Sequence, residues 1–521
     1  MEKEYVVVVH AGIDLSEFDA ELSASSGSGP IPNRSVDIAN PRIGSKRMTH
    51  WMLTDAEAQA LMADPRVLSV EIPPDQRTDI KIGLHTSQSG VWYRGSGNDT
   101  TYRNWGLRRT NESTNIFGNA TTLTGTYDYA LAGTGVDIVI QDSGIQADHP
   151  EWNDAAGNTR LQQIDWYANS GLIGTQDAGF YVDYDGHGTH CAGIAAGKTF
   201  GWAKDAHIYS QKLAGLEGAN DPGVGISIAN AFDTIRIWHN NKTNGRPTVV
   251  NMSWGYGAQL NGDPISGVYR SIAWTYGVDY TTRNQLWAAT GVSATYNDIF
   301  ATTGFNFYTQ SVRVPSVDAE IEDMIAAGIH VCIAAGNNYN KIDVPSGPDY
   351  NNTVVFGAST YSYHQGSSPY SENAFMVASI DSATQLDVTE KDKTSEYTSR
   401  GPGCNIWAPG THIMSATSND YDVSKFAPID YFDNPAYKQM SISGTSMASP
   451  QVAGLCALHL ESFPELTPAQ LQTRIFNECK SVVYDTGASN DYELYNSSAM
   501  GTPNRLLYSK YGIANPVIVT R

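Results

Sequence analysis

Three short, mostly apolar runs constrain the fold of this chain more than any other feature. The runs are Val136–Ile140, Thr248–Met252 and Ile329–Ile333, and each leads into a short segment that contains a glycine. Runs of this kind are typical of strands that are buried on both faces of a parallel sheet. Residues 316–328 have an amphipathic helical pattern that ends at Gly328. The alternation of strands and helices from about 130 to 480 predicts an α/β fold with a mostly parallel sheet covered on both faces.

Residues 1–76 have a different pattern, which predicts a small α+β domain ahead of the large sheet. Strands are expected at Tyr5–Val9, Met48–Leu53 and Val67–Ile72. Helices are expected at Leu15–Leu22 and from the capping box Thr54–Glu57 onward. The order strand–helix–strand–strand–helix–strand is ferredoxin-like. Residues 77–102 are polar and rich in glycine, serine and threonine, so we expect an exposed linker there.

The net charge limits the partners of the chain. The 521 residues carry 33 basic and 54 acidic side chains, a net charge of −21, which argues against binding to nucleic acid or to an anionic membrane. The sequence contains no apolar run of about 18 residues, and its first nine residues lack the pattern of a signal peptide. We therefore expect an intracellular or virion-associated protein rather than a conventionally secreted one.

Three side chains suited to nucleophilic catalysis stand at predicted strand or helix ends. Asp142 follows the first buried strand, His187 begins a helix of small residues, and Ser446 begins an apolar helix. A hydroxyl nucleophile needs a base within hydrogen-bond reach, and the base needs an orienting acid. Because each of the three occupies a strand or helix terminus flanked by glycine, we expect them to converge at one edge of the sheet. Asn337 would supply an amide donor for an oxyanion at the same place.

Some of these residues have alternative interpretations. Ser446 also suits a simple helix N-cap. Asp183 and Asp185 compete with Asp142 as the orienting acid. They precede His187 by only four and two residues, so they reach its far nitrogen less easily, and Asp142 is preferred.

A metal site is the alternative for the histidines. His187 and His190 form a pair, but the glutamate of a zincin helix and an evident third ligand are missing, so we expect no metal there. The five cysteines lie mostly in apolar runs. We expect buried thiols, with a single disulfide as the alternative, and no base that would activate Cys191 is apparent.

Five motifs, in this order, resemble those of the subtilisin-like serine peptidases (subtilases), especially the proteinase K-like members. The motifs are Asp142–Ile145 with His149–Trp152, His187–Gly193, Asn251–Gly255, Ala334–Asn337 and Gly444–Pro450. The chain order Asp, His, Ser is also that of subtilisin. The resemblance covers roughly residues 103–512 as a peptidase domain and leaves 513–521 as a C-terminal tail.

The resemblance implies a subtilisin-like fold and a serine endopeptidase that hydrolyses polypeptides. Its catalytic residues would be Asp142, His187, Ser446 and Asn337, and its substrate-binding residues Ser253, Trp254, Gly255, Ala334, Ala335 and Gly336. The two substrate-binding segments would pair with an extended peptide. Residues 1–76 resemble the inhibitory prosegment of the family, whose tail lies in the cleft. We therefore expect a precursor that is inhibited by its own N-terminal domain.

The sequence departs from the family pattern in several places. Gln451 stands where histidine is usual, and Trp254 stands where a smaller residue is usual, so we expect Trp254 to narrow the substrate pocket. Residues 256–312 form an insertion beside the cleft, expected as a packed loop, with recognition of a substrate or partner as the alternative. Asn405 replaces an aspartate that binds calcium in proteinase K, which weakens the case for calcium, and no other cofactor is expected.

A rival hypothesis comes from another class of protein. It is a structural or assembly protein, such as a virion component with assembly partners, that retains a latent peptidase domain. The lack of an export signal, the uninterrupted prosegment and the insertion motivate this alternative. The complete set of Asp142, His187 and Ser446 favours an active enzyme.

Overall fold

The computed structural model describes most of the chain, in ranges separated by short gaps. The described residues are 2–24, 30–31, 34–77, 81–84, 104–115, 129–216, 225–292, 307–385, 388–421, 427–485 and 498–512. The expected tail 513–521 and nearly all of the expected linker lie outside these ranges. Within them, no helix combines the length and apolarity needed to span a bilayer.

The described residues contain strands β1 to β22. Their bounds are β1 Lys3–Val9, β2 Ile38–Asn40, β3 Met48–Leu53, β4 Val67–Glu71, β5 Lys81–Leu84, β6 Asp137–Asp142, β7 Leu161–Gln162, β8 His207–Lys212, β9 Thr248–Met252, β10 Trp254–Asn261, β11 Ser266–Tyr269, β12 Ile272–Thr275, β13 Phe307–Ser311, β14 His330–Ala334, β15 Thr353–Phe356, β16 Ser359–Ser362, β17 Phe375–Gln385, β18 Val388–Thr394, β19 Ile406–Pro409, β20 Ile413–Thr417, β21 Ile429–Tyr431 and β22 Asn434–Ile442.

Helices α1 to α10 alternate with these strands through most of the chain. Their bounds are α1 Leu15–Ser23, α2 Asp55–Met62, α3 Trp105–Arg109, α4 Trp166–Ser170, α5 His187–Ala196, α6 Ile228–Asn241, α7 Arg283–Thr290, α8 Pro315–Ala326, α9 Thr445–Ser462 and α10 Pro468–Glu478. The amphipathic pattern predicted over 316–328 therefore corresponds to α8, and Gly328 follows it with a φ of 92°.

The central sheet has the order β18-β17-β14-β9-β6-β8-β7, with β19 also paired to β17. All of its pairings are parallel except that of β17 with β18. Every residue of β6, β9 and β14 is buried, which requires cover on both faces of the sheet. Helices α5 and α9 pack against each other and onto these strands, while α8 packs onto β14 and against α6. The predicted α/β architecture is confirmed.

The N-terminal sheet is antiparallel and has the order β2-β3-β1-β4. With α1 and α2 it gives the strand–helix–strand–strand–helix–strand order predicted for this region. The capping box at Thr54 is present, because its hydroxyl accepts from the Glu57 N–H and the Glu57 carboxylate accepts from the Thr54 N–H. One face of the sheet has its own apolar core with α1 and α2. On its other face Val6, Val8 and Met48 pack with Ala319 of α8.

The insertion at 256–312 contains more regular structure than the expected packed loop. The far half of β10 pairs with β13, so the two ends of the insertion form one antiparallel ribbon. Between them, β11 pairs with both β12 and β15. Ala258 and Leu260 are buried in the main core, so the ribbon is part of the packed body of the domain.

Candidate active site

His187 is oriented by Asp142 at the carboxyl end of the central strand β6. Nδ1 of His187 lies 2.8 Å from Oδ1 of Asp142, and neither side chain is exposed. The same oxygen accepts the N–H of Ser143 at 2.8 Å. Since β6 ends at Asp142 and α5 begins at His187, the sheet edge and the helix start bring the acid and the base together.

Two glycines permit the tight start of helix α5. Gly186, immediately before His187, has a φ of 91°, a left-handed conformation that favours glycine. A Cβ on Gly188 would lie 2.1 Å from the carbonyl oxygen of Gly144, so a larger residue would push the helix away from the strand that carries Asp142.

Asp183 closes this turn and does not contact the imidazole. Its carboxylate accepts the N–H of Gly186 at 2.8 Å and the N–H of Thr189 at 2.8 Å. Asp183 therefore caps the start of α5, whereas the hydrogen bond to His187 comes from Asp142.

Burial and charge act in opposite directions on His187. Burial, the largest single influence, disfavours the imidazolium, but the Asp142 carboxylate and the neighbouring sulfur of Cys191 outweigh it. The net effect raises the pKa of His187 well above its usual value. Among the described residues, Nε2 of His187 has no hydrogen-bond partner. The ring is thus fixed by one nitrogen, and the other nitrogen is left for proton transfer.

Ser446 is the second residue of helix α9 and lies beside this pair. Its hydroxyl donates to the carbonyl oxygen of Ser253 at 3.0 Å, and the Ser253 hydroxyl donates to the Ser446 carbonyl at 3.0 Å. The thiol of Cys191 donates to the same Ser446 carbonyl at 3.4 Å, and its sulfur lies 3.8 Å from Nδ1 of His187. Cys191 therefore links Ser446 to His187 and places the two side chains in one region.

Cys191 is a buried thiol rather than a competing nucleophile. Burial raises its pKa to about 11, so the thiolate is scarce near neutral pH. All five cysteines are free, as expected from their apolar surroundings.

Asn337 presents an oriented amide next to the start of α9. Its Oδ1 accepts both the N–H and the hydroxyl of Thr445, each at 2.9 Å. Its Nδ2 is buried and has no partner among the described residues. A buried amide donor without a partner is costly, and here it lies beside the residue that precedes Ser446.

Thr445 is the functional residue that the sequence interpretation missed. Besides its two bonds to Asn337, its hydroxyl oxygen accepts the N–H of Gly336 at 3.0 Å. It therefore fixes the amide of Asn337 so that Nδ2 points away from it. Its position next to Ser446 in the Gly444–Pro450 motif was the available signal.

The segment Ser253–Gly255 provides a strand edge, and that edge is occupied. Strand β5 pairs antiparallel with the first half of β10, with Leu84 opposite Trp254, Gly83 opposite Gly255 and Lys81 opposite Gly257. Part of the region expected as an exposed linker therefore lies on the segment expected to bind substrate.

Trp254 is completely buried, and its indole contacts the protein interior. Nε1 donates to the side chain of Gln141 at 3.2 Å, and the ring lies against Phe232 of α6. The predicted narrowing of the substrate pocket by Trp254 stays a prediction.

The segment Ala334–Gly336 has fewer main-chain groups to offer than expected. The N–H of Ala335 already donates to Val377, and the N–H of Gly336 already donates to Thr445. The carbonyl of Gly336 accepts from Ser399 at 2.8 Å. These three groups are therefore already hydrogen-bonded within the protein, and the expectation that this segment pairs with a peptide as a second edge stays a prediction.

The histidine pair does not form a metal site. Nε2 of His190 lies 3.0 Å from the carbonyl of Met440, and burial lowers the pKa of His190 to about 3. Potential ligand atoms of Asp142, His187 and Cys191 do lie within 4.8 Å of one another. However, Asp142 and His187 are hydrogen-bonded to each other, and burial raises the pKa of the Cys191 thiol, which disfavours the thiolate that binds metals.

Asn405 does not fit a calcium site. Its Oδ1 accepts the N–H of Met376 at 3.0 Å, and its Nδ2 donates to the carbonyl of Ala374 at 2.7 Å. The amide thus serves as a hydrogen-bonding link between neighbouring segments.

A carboxylate-oriented imidazole, a serine at a helix start and a fixed amide donor together define a serine hydrolase of the triad type. Comparison with protein families matches residues 133–498 to the "Subtilase family". This chain therefore belongs to the subtilase family and is a subtilisin-like serine endopeptidase.

Similar proteins agree with this assignment. The extracellular serine proteinase of Thermus sp. (strain Rt41A) is 24% identical over 458 residues, covering 88% of this chain and 74% of that protein. Proteinase R of Parengyodontium album is 26% identical over 411 residues, or 78% of this chain and 70% of that protein. The crystal structure of fervidolysin from Fervidobacterium pennivorans, described as a keratinolytic enzyme related to subtilisin, shares the fold. It has a TM-score of 0.50 at 15% identity, covering 100% of this chain and 62% of that one.

Proposed function

We propose that the chain hydrolyses peptide bonds through an acyl-enzyme on Ser446 and is made as a precursor inhibited by its own N-terminal domain. The observation that carries the catalytic part is the pairing of His187 with Asp142 while Nε2 has no partner among the described residues. Cys191 contacts both this imidazole and the carbonyl of Ser446. For attack, the Ser446 hydroxyl leaves the carbonyl of Ser253 and donates its proton to Nε2 of neutral His187. Asp142 then stabilises the imidazolium that forms.

Charge on the attacked carbonyl oxygen develops next to two donors. These are Nδ2 of Asn337 and the backbone N–H of Ser446 at the positive end of α9. His187 returns its proton to the leaving amine, and a water molecule then hydrolyses the ester by the reverse sequence of proton transfers. Because a peptide pairs with β10 through its main chain, we expect a broad tolerance of substrate sequence.

Self-inhibition is supported by the position of β5. An antiparallel strand on Trp254–Gly257 occupies the edge that a substrate would use. Since β4 ends at Glu71 and β5 begins at Lys81, the docking of the N-terminal sheet on α6 and α8 keeps β5 near the cleft. The sheet then acts as an intramolecular partner that raises the effective concentration of β5 at the cleft.

The N-terminal sheet is anchored by a buried arginine. Arg42 lies 3.2 Å from Asp233 of α6 and also pairs with Glu320 of α8, and all three side chains are at most 4% exposed. Arg42 adopts a φ of 41°, which is unfavourable for a residue with a side chain. This conformation is therefore maintained by its contacts. Burial, together with Asp233, raises the pKa of Glu320 to about 7 against the opposing effect of Arg42.

A second contact caps helix α8 from the N-terminal sheet. Oε1 of Glu71, the last residue of β4, accepts the N–H of Ser316 in the first turn of α8 at 2.8 Å. A carboxylate at this position satisfies an otherwise unpaired donor and interacts favourably with the helix dipole.

The decisive experiment follows the intact mass of the purified chain over time. We expect a cut directly beyond Leu84, because Leu84 lies opposite Trp254 and the carbonyl of the preceding Ser253 accepts from the Ser446 hydroxyl. The Ser446→Ala protein should stay uncut and should not react with a fluorophosphonate that labels the original protein. Lack of an adduct on Ser446, even after nicking near residue 77, would refute the catalytic proposal and favour the latent assembly protein.

A further inference from the structure

The insertion lengthens the strand on which a peptide substrate pairs. β10 continues beyond Gly257 to Asn261, and this continuation lies within the insertion 256–312. We propose that the edge of β10 from Gly257 to Asn261 binds the substrate backbone as far as the ninth residue before the scissile bond. This inference rests on the proposed endopeptidase function and concerns the length of substrate that the enzyme engages.

The direction of the main-chain groups follows from the hydrogen bonds of Tyr256. Its N–H donates to the carbonyl of Ser368 at 3.1 Å, and its carbonyl accepts the N–H of Val312 at 3.0 Å. Both groups therefore point away from β5. Because successive residues of a strand alternate, the main-chain groups of Gly255 and Gly257 point toward β5.

The same alternation continues through the insertion. Ala258 and Leu260 stand opposite Gln310 and Tyr308 of β13, and their main-chain groups point toward that strand. The N–H and C=O groups of Gln259 and Asn261 consequently point to the side on which β5 lies. Within the described ranges, no strand pairs with this edge beyond Gly257.

The register assigns each of these residues a substrate position. Ser446 contacts the carbonyl of Ser253 at 3.0 Å, so the substrate residue opposite Ser253 is the one whose carbonyl is attacked. Substrate residues face β10 in steps of two. Counted back from the scissile bond, the third substrate residue therefore lies opposite Gly255 and the fifth opposite Gly257. The seventh lies opposite Gln259 and the ninth opposite Asn261.

The extended edge is preformed. β13 pairs along the opposite edge from Gly257 to Asn261, and Ala258 and Leu260 are 1% and 9% exposed in the main core. A rigid edge loses little conformational freedom when a peptide adds to it. Recognition through the main chain selects for length and extended conformation rather than for sequence. The fitting substrates are therefore unfolded or extended polypeptide segments, in preference to short peptides.

The test measures kcat/KM for peptides of increasing length, using the full-length protein after it has cleaved itself. The peptides share the residues around the scissile bond and carry four, six, eight or ten residues before it. We expect kcat/KM to keep rising beyond six residues, by about three- to tenfold for each newly paired residue. N-methylation of the seventh residue should abolish that gain, whereas N-methylation of the sixth, whose N–H points away from β10, should not.

Two variants of Gln259 separate the contribution of its main-chain N–H from that of its side chain. Gln259→Pro removes the N–H that would face the substrate, which a strand edge tolerates, while Gln259→Ala keeps it. Gln259→Pro should lose the gain beyond six residues and keep full activity on the four-residue peptide, which also reports correct folding. Gln259→Ala should behave like the original protein.

Two results would overturn the inference in distinguishable ways. Equal kcat/KM for six, eight and ten residues, or equal effects of N-methylation at the sixth and seventh residues, would overturn the extended edge and leave the endopeptidase intact. Failure to cleave a peptide of any length would overturn the proposed function and this inference with it.

Discussion

The active centre and the N-terminal interface both bury a basic side chain against one or more carboxylates, yet they use it differently. At the active centre, His187 is held by Asp142 through one nitrogen, and the other nitrogen has no partner among the described residues. At the interface, Arg42 spreads its guanidinium over Asp233, Glu320 and His50. The first arrangement positions an atom and keeps it available, whereas the second joins two parts of the chain.

This difference shows what a buried charge does in each place. At the active centre, a positioned donor without a partner among the described residues, such as Nδ2 of Asn337, lowers stability but can stabilise charge that develops during the reaction. The shared guanidinium of Arg42 stabilises the association of the N-terminal sheet with α6 and α8. Removing it leaves the buried carboxylates of Asp233 and Glu320 with Arg236 as their shared cation. Substitutions should therefore reduce turnover at the first site and inhibition at the second.

The largest effect is expected from Asn337→Ala. The substitution removes the donor for the oxyanion, so kcat should fall about 10²–10³-fold with KM nearly unchanged, a magnitude known from subtilisin. Steady-state kinetics on a short peptide after self-cleavage measures both constants. The matched control is Asn338→Ala, whose amide donates to Ser311 at 2.9 Å, and it should change kcat less than threefold. A rise in KM with an unchanged kcat would show that Asn337 only binds substrate.

The next effect is expected from Arg42→Ala at the interface. Truncating one member of a buried, hydrogen-bonded charge pair costs about 2–5 kcal/mol of binding, or roughly thirtyfold or more. After self-cleavage, the released N-terminal part should therefore inhibit at least thirtyfold less well, which serial dilution of the cleaved sample measures. Arg34→Ala is the control, because Arg34 pairs with Glu57 inside the N-terminal sheet. Equal inhibition in both variants would mean that Arg42 does not anchor the inhibitor.

The sequence predicted the active centre better than the interface because the two depend on different ranges of the chain. Asp142, His187, Asn337 and Ser446 each stand at the end of a regular element, where local signals such as glycine and apolar periodicity are strong. Arg42 meets Asp233 across 191 residues, and it stands in a polar loop without a periodic pattern. Nothing near it in sequence indicates a buried partner.

The structure of the insertion and of the expected linker also depends on contacts between residues that are far apart in sequence. The β11–β12 hairpin turns at Arg270 and Ser271, which adopt φ values of 48° and 68° without the glycine or asparagine that usually marks such a turn. β5 lies in a region whose composition predicts a loop, and it is a strand because β10 provides an edge for it. Pairing partners of this kind are set by tertiary structure, which single-sequence patterns do not contain.

The smallest effect is the pH dependence of activity, which tests how burial and the neighbouring groups balance at His187. Since Asp142 and the neighbouring Cys191 outweigh burial and raise the pKa of His187, the neutral base that catalysis needs is depleted at a higher pH than for a free histidine. Activity of the self-cleaved protein should therefore fall tenfold per pH unit below a midpoint that lies above about 6.5. The same shift stabilises the fold fully below about 6.5, and that contribution is lost as pH rises through the folded pKa. NMR titration of His187 in the Ser446→Ala protein measures the midpoint directly, and a value below 6.5 would mean that burial, rather than Asp142, controls the proton on this ring.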